Sequence, residues 1–62
     1  MIGGANIKSG VINEFYCDDN NDVANLEQFG RDHNLAMGSK CYCIGTGKVY
    51  MMKSTFEFVE IE

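Results

Sequence analysis

From Lys40 onward, apolar positions come in short runs separated by turn formers: Lys40–Ile44 (KCYCI), Lys48–Met52 (KVYMM) and Phe56–Ile61 (FEFVEI). Runs of β-branched and aromatic residues bounded by such breaks predict strands, because these side chains fit a pleated, half-buried surface. The pattern therefore predicts an antiparallel meander over 40–44, 48–52 and 56–61. Gly45-Thr46-Gly47 has the length of a hairpin loop closed by a glycine in the left-handed region. That loop would set Ile44 opposite Lys48, Cys43 opposite Val49 and Tyr42 opposite Tyr50. With this register, continued through Lys53-Ser54-Thr55, one face carries Tyr42, Ile44, Tyr50, Met52, Phe56 and Phe58, with Lys48 opposite Glu60 at its rim. The other face carries Cys41, Cys43, Val49, Met51, Val59 and Ile61.

Upstream, Val11–Cys17 (VINEFYC) alternates only partly, with Val11, Phe15 and Cys17 on one side and Ile12 and Tyr16 on the other. A strand apolar on both sides belongs between layers or at an interface, so 11–17 extends the sheet to four strands. Asp18–Asp22 (DDNND) reads as a turn that opens a helix, with Asp22 or Asn21 as its cap. Val23, Leu26 and Phe29 follow at helical spacing and predict one short amphipathic helix over about 22–30. Gly30 is expected to close it as a left-handed cap; the alternative is a helix to Asn34 with an interior glycine. Residues 1–10 are glycine-rich and predict a flexible N-terminal arm. The fold class expected is thus α+β, mainly β: a small antiparallel sheet of three to four strands with one helix, in a single domain over 11–62.

The chain has 62 residues, 45% of them apolar, enough for a folded domain with a core near the lower limit of self-sufficiency. A net charge of −4, with Lys8, Arg31, Lys40, Lys48 and Lys53 scattered, argues against nucleic acid as a partner. Three cysteines, an odd count, suggest free thiols in a reducing cytosol. MIGGANIKSG has no long apolar run, so neither a signal peptide nor a membrane span is expected.

Four chemical motifs fail on their spacing. DDNNDV starts like a calcium loop, but Val23 and Phe29 stand where glycine and a bidentate glutamate are required. Gly45-Thr46-Gly47-Lys48 lacks the upstream glycine and the hydroxyl residue of a phosphate loop, with Tyr42 and Val49 in those places. Cys41 and Cys43, with Cys17 and His33, make a weak zinc set, because structural zinc sites draw paired cysteines from turns. A cysteine nucleophile needs a base in a concave site, and His33 stands in a polar stretch beside Asp32. No metal, cofactor, small-molecule substrate or catalytic residue is therefore expected, and the cysteines read as packing residues.

Residues 38–61 carry a further pattern: Gly38-Ser39-Lys40-Cys41-Tyr42-Cys43-Ile44-Gly45-Thr46-Gly47-Lys48-Val49-Tyr50-Met51, then Phe58-Val59-Glu60-Ile61. It resembles a pattern in small virion proteins of tailed bacteriophages and prophages, including head-fibre-type accessory proteins. Cys41, Gly45 and Phe58 stand where that pattern has alanine, aspartate and tryptophan. The resemblance implies a phage-encoded structural or accessory protein that binds a capsid or tail component and forms oligomers. It also implies residence in the virion, and in the host cytoplasm before assembly.

With both predicted faces apolar and one short helix to cover them, one face is expected to serve as a protein interface. The aromatic set Tyr42, Ile44, Tyr50, Met52, Phe56 and Phe58, with its charged rim, is the expected surface. The alternative is that the N-terminal arm folds back over it. A second function reading is a small acidic inhibitor that blocks a host protein by mimicking nucleic acid, which would need a continuous acidic stripe.

Overall fold

A computed structural model describes residues 1–3 and 7–62. Five strands form one sheet in the order of the sequence: β1 (Ile2–Gly3), β2 (Glu14–Cys17), β3 (Lys40–Cys43), β4 (Lys48–Met52) and β5 (Phe58–Glu60). Two helices, α1 (Asn20–Val23) and α2 (Leu26–Asp32), lie between β2 and β3. The protein is small, mainly β, and measures 27 × 21 × 16 Å.

The C-terminal meander forms as its breakers predict, with β3, β4 and β5 antiparallel. The sheet as a whole is mixed, because β2 pairs with β3 in parallel. The expected antiparallel sheet of three to four strands is corrected on this point and in its count. A parallel pair needs a crossover of about a dozen residues or more, and the segment carrying α1 and α2 between β2 and β3 supplies it.

The helical segment also differs from the single helix expected at 22–30. The chain breaks at Ala24-Asn25 into two short helices. Asp19, rather than Asp22 or Asn21, is the cap of α1: its carboxylate accepts from the Asn21 amide, and Asp22 completes a capping box. Gly30 lies inside α2 instead of ending it. A Cβ there would meet the Met52 sulfur at 3.0 Å and the Phe58 ring at 3.4 Å, so glycine lets the helix approach the sheet. The left-handed residue that follows the helix is Asn34, at φ 50°.

The hairpin register is shifted by one residue from the expected pairing. Cys43 faces Lys48, Tyr42 faces Val49 and Cys41 faces Tyr50. Gly47 does take a positive φ, and its amide donates to the Cys43 carbonyl at 2.8 Å. Ile44, however, leaves the hairpin ladder, because its amide donates to Cys17 at the end of β2 at 2.9 Å. The neighbouring parallel strand therefore lengthens the loop to 44–47. A one-residue slip moves side chains to the opposite face, so Cys41 and Cys43 join Tyr50 and Met52 on one side.

That side meets the helices. Phe15, Cys17, Leu26, Leu35, Cys41, Cys43, Tyr50 and Met52 form the buried core, with Val23, Phe29, Phe56 and Phe58 packed against it. Phe15 is central, 4.8 Å from the Phe29 ring and 5.9 Å edge-on to Phe58. The helical stripe Val23, Leu26 and Phe29 faces the core as its spacing predicts. Leu26 is fully buried, so Leu26→Ala is expected to cost about 2–5 kcal/mol. Chemical denaturation reads this directly, and an unchanged midpoint would place Leu26 outside the core.

Over its described residues, the N-terminal segment 1–10 is tied to the sheet. Ile2 pairs with Cys17 and Gly3 with Tyr16, and Ile7 packs on the core. Buried Asn13 holds the approach: its amide nitrogen donates to the Lys8 and Val11 carbonyls at 2.8 and 2.9 Å. Its carbonyl oxygen accepts from the Lys8 amide at 3.0 Å. Of the flexible arm expected at 1–10, residues 2–3 form the edge strand β1, and the 4–6 part lies outside the described residues.

Candidate interaction surface

Alternation along the strands sends one set of side chains toward the helices and the other away from them. The covered set is Phe15, Cys17, Cys41, Cys43, Tyr50, Met52 and Phe58. The opposite face presents Glu14, Tyr16, Lys40, Tyr42, Val49, Met51 and Val59. Neither helix lies against this second face; Tyr16 is 51% and Val59 44% exposed, and Tyr42, Val49 and Met51 are half-buried.

The centre of the open face is a pair of tyrosines. Tyr16 and Tyr42 are register partners across β2 and β3, with ring centroids 5.6 Å apart and planes at 32°. The Tyr42 hydroxyl donates to the Glu14 carboxylate at 3.1 Å. This hydrogen bond, followed by desolvation and the carboxylate charge, raises the Tyr42 pKa above the usual phenol value. Glu14 and Lys40 are register partners at the same end of the face, so its rim carries both signs of charge.

The six side chains expected to share an interface are divided by the register. Tyr42 alone of the strand residues lies on the open face. Tyr50 and Met52 are buried beneath the helices, at 6% and 2% exposure. Phe58 is half-buried on the same covered side. Phe56 occupies a turn at φ 71° with the Arg31 guanidinium 5.3 Å above its ring. Ile44 is 69% exposed at the loop 44–47, off the sheet face. The expected rim contact does form, with Lys48 Nζ 3.1 Å from a Glu60 oxygen, although Glu60 faces Tyr50 in the register. Tyr16 was outside the expected set; its exposure follows only once β2 and β3 are paired in parallel.

The chemical candidates fall elsewhere. His33 stacks on Phe29 at 4.2 Å, and its Nδ1 lies 3.0 Å from the Phe29 carbonyl oxygen, so its ring partner is a helix residue and not a thiol. Cys17, Cys41 and Cys43 are unpaired and buried. Among the described residues, no group of three or more His, Cys, Asp or Glu side chains is arranged to hold a metal ion. The acidic run is used locally: Asp19 and Asp22 cap α1, and Asp18 and Asp22 receive the Met1 amino group. A shallow depression of about 250 Å³ is bounded by Met1, Gly3, Tyr16, Cys17, Asp18 and Ile44. Small-molecule sites are typically about 300–1,000 Å³ and largely enclosed.

Comparison with known families, characterised proteins and solved structures finds no match for this chain.

Proposed function

We propose that this protein is a non-catalytic protein-binding module, a small accessory component of a tailed-phage particle, and that it binds through the open face of its sheet. The observation that carries the reading is the one-sided covering of the sheet. Two short helices serve Phe15, Cys41, Tyr50 and Met52, while Tyr16, Tyr42, Val49, Met51 and Val59 remain without a layer above them. Apolar and aromatic side chains grouped on one face, with charges at the edge, typify protein contacts.

The occupant is a protein surface and not a polyanion. Glu14 and Lys40 sit together at the rim, and a net charge of −4 opposes phosphate binding. The acidic residues are spread over 14–32 and 57–62, which favours the structural reading over the nucleic-acid mimic. The phage context rests on the pattern at 38–61.

In a lysate containing the particles encoded with this chain, the protein is expected to sediment with them. Met51→Glu, a charge placed on the open face between Lys40 and Val59, is expected to leave the fold intact and abolish that co-sedimentation. Recovery with a single host enzyme instead of particles would favour the inhibitor reading.

A further inference from the structure

Three of the small side chains that fill the core are thiols, gathered on one face of two adjacent parallel strands. Cys17 and Cys43 are direct register partners, whereas Cys41 stands opposite Phe15. Neighbouring strands lie about 4.8 Å apart, within the roughly 4.4–6.8 Å Cα separation that a disulfide spans. Cys17 also lines the depression bounded by Met1, Gly3, Tyr16, Asp18 and Ile44; Cys17 and Cys43 are each 1% exposed, so a small solute meets the thiols only as this end of the sheet opens.

We infer that Cys17 and Cys43 are a redox pair that closes reversibly into a disulfide when a hydroperoxide reaches the β2–β3 end of the core. The two thiols have different roles. The Thr46 hydroxyl, then the Cys17 thiol and the Thr46 and Gly45 amides, hold the Cys43 pKa below its ordinary value against opposing desolvation. Burial, and then the neighbouring thiols of Cys41 and Cys43, push Cys17 up. Burial also raises Cys41. Cys43 is therefore the attacking sulfur, since the thiolate is the nucleophile, and Cys17 is the resolving one.

In the first step, the Cys43 thiolate attacks one peroxide oxygen and the O–O bond breaks. The departing oxygen takes up the proton that Cys43 gave away and leaves as water or an alcohol. The sulfenic acid on Cys43 is then attacked by the Cys17 sulfur. The S–S bond forms, the S–O bond breaks, and hydroxide leaves with the Cys17 proton as water. Two electrons from the thiols reduce the peroxide, and a dithiol reductant reverses the change by exchange. The bond would tie the strands on either side of the α1–α2 crossover and so restrict the unfolded chain.

The test uses the reduced wild-type protein under native conditions. It is treated with hydrogen peroxide, quenched, then unfolded in denaturant, alkylated and mapped by tandem mass spectrometry. The expected product is a monomer lighter by two hydrogens, with alkylation at Cys41 alone and full reversal by dithiothreitol. Cys41→Ala is expected to give the same bond. Alkylation of all three cysteines, a disulfide that includes Cys41, a crosslinked dimer, or sulfinic acid without a disulfide would each overturn the inference.

Discussion

Phe15→Ala is expected to lose about 3–5 kcal/mol and to leave the chain largely unfolded at room temperature. Phe15 is fully buried at the middle of the sheet, against Phe29 from α2 and Phe58 from β5. It joins α2 to β5, the far end of the strand order. Removing the ring deletes transfer free energy and leaves a cavity whose walls belong to different elements, so the site cannot collapse by moving one of them. At roughly 0.05–0.15 kcal/mol per residue, a domain of 62 residues has about 3–9 kcal/mol in total. The loss is thus comparable with the whole. Urea titration followed by tyrosine fluorescence measures it, and a variant within about 1 kcal/mol of wild type would show that Phe15 is not central.

Gly45→Ala is expected to be the most damaging of the loop substitutions, costing about 1–3 kcal/mol through forced displacement of packed backbone. A Cβ at Gly45 would sit 2.4 Å from the Asp18 carbonyl oxygen and 3.4 Å from the Asp19 Cα. Neither is a flexible side chain that can move aside. The same Asp18 carbonyl accepts the Gly45 amide at 2.7 Å, so the clash and the hydrogen bond fall on one contact. The contact joins the loop 44–47 to the residues that cap α1, and displacing it disturbs both. Gly47 provides the comparison. It has φ 72° and open space around it, so Gly47→Ala pays only the left-handed conformational cost of about 1–2 kcal/mol. Thermal melts of the two variants should rank Gly45→Ala below Gly47→Ala. The reverse order would mean that backbone conformation, not the approach of Asp18, sets the requirement at this loop.

The strands of the C-terminal half were legible because each lies between breakers that the local sequence supplies. The stripe Val23, Leu26 and Phe29 was legible for a similar reason, since helical spacing is local information. The register of β3 on β4 was not. Two glycines around Thr46 suit a three-residue loop, and nothing between Cys43 and Lys48 reveals that the Ile44 amide donates to Cys17. That hydrogen bond comes from a strand 27 positions earlier in the chain. Everything downstream of it changed: Tyr50 and Met52 turned out to share a face with the cysteines, and Tyr42 was separated from them. The parallel pairing was hidden by a related omission, because strand, helix and strand in succession already implied a crossover.

Gly30 reads as a helix terminator until the Met52 sulfur is placed beneath it. The ordering of the N-terminal segment rests on Asn13 and Ser39, two polar residues that carry no pattern in the sequence. The Asn13 amide donates to the Ser39 hydroxyl at 3.0 Å, and that hydroxyl donates to the Ala36 carbonyl at 2.8 Å. Of the side chains on the open face, Tyr42 was in the set expected from the sequence, and Tyr16 was not.

The account depends on Tyr42 being on the open face and Tyr50 in the core, and one pair of variants separates the two. Burial, chiefly, together with the nearby Glu60 charge raises the Tyr50 pKa above the usual phenol value, so a carboxylate in its place would be both desolvated and opposed. Tyr50→Glu is expected to unfold the domain, as read by far-ultraviolet circular dichroism. Tyr42→Glu is expected to keep the wild-type spectrum and to lose association with its partner surface, as read by light scattering and co-sedimentation. A folded Tyr50→Glu that loses association, beside a Tyr42→Glu that behaves as wild type, would contradict the register and the surface built on it.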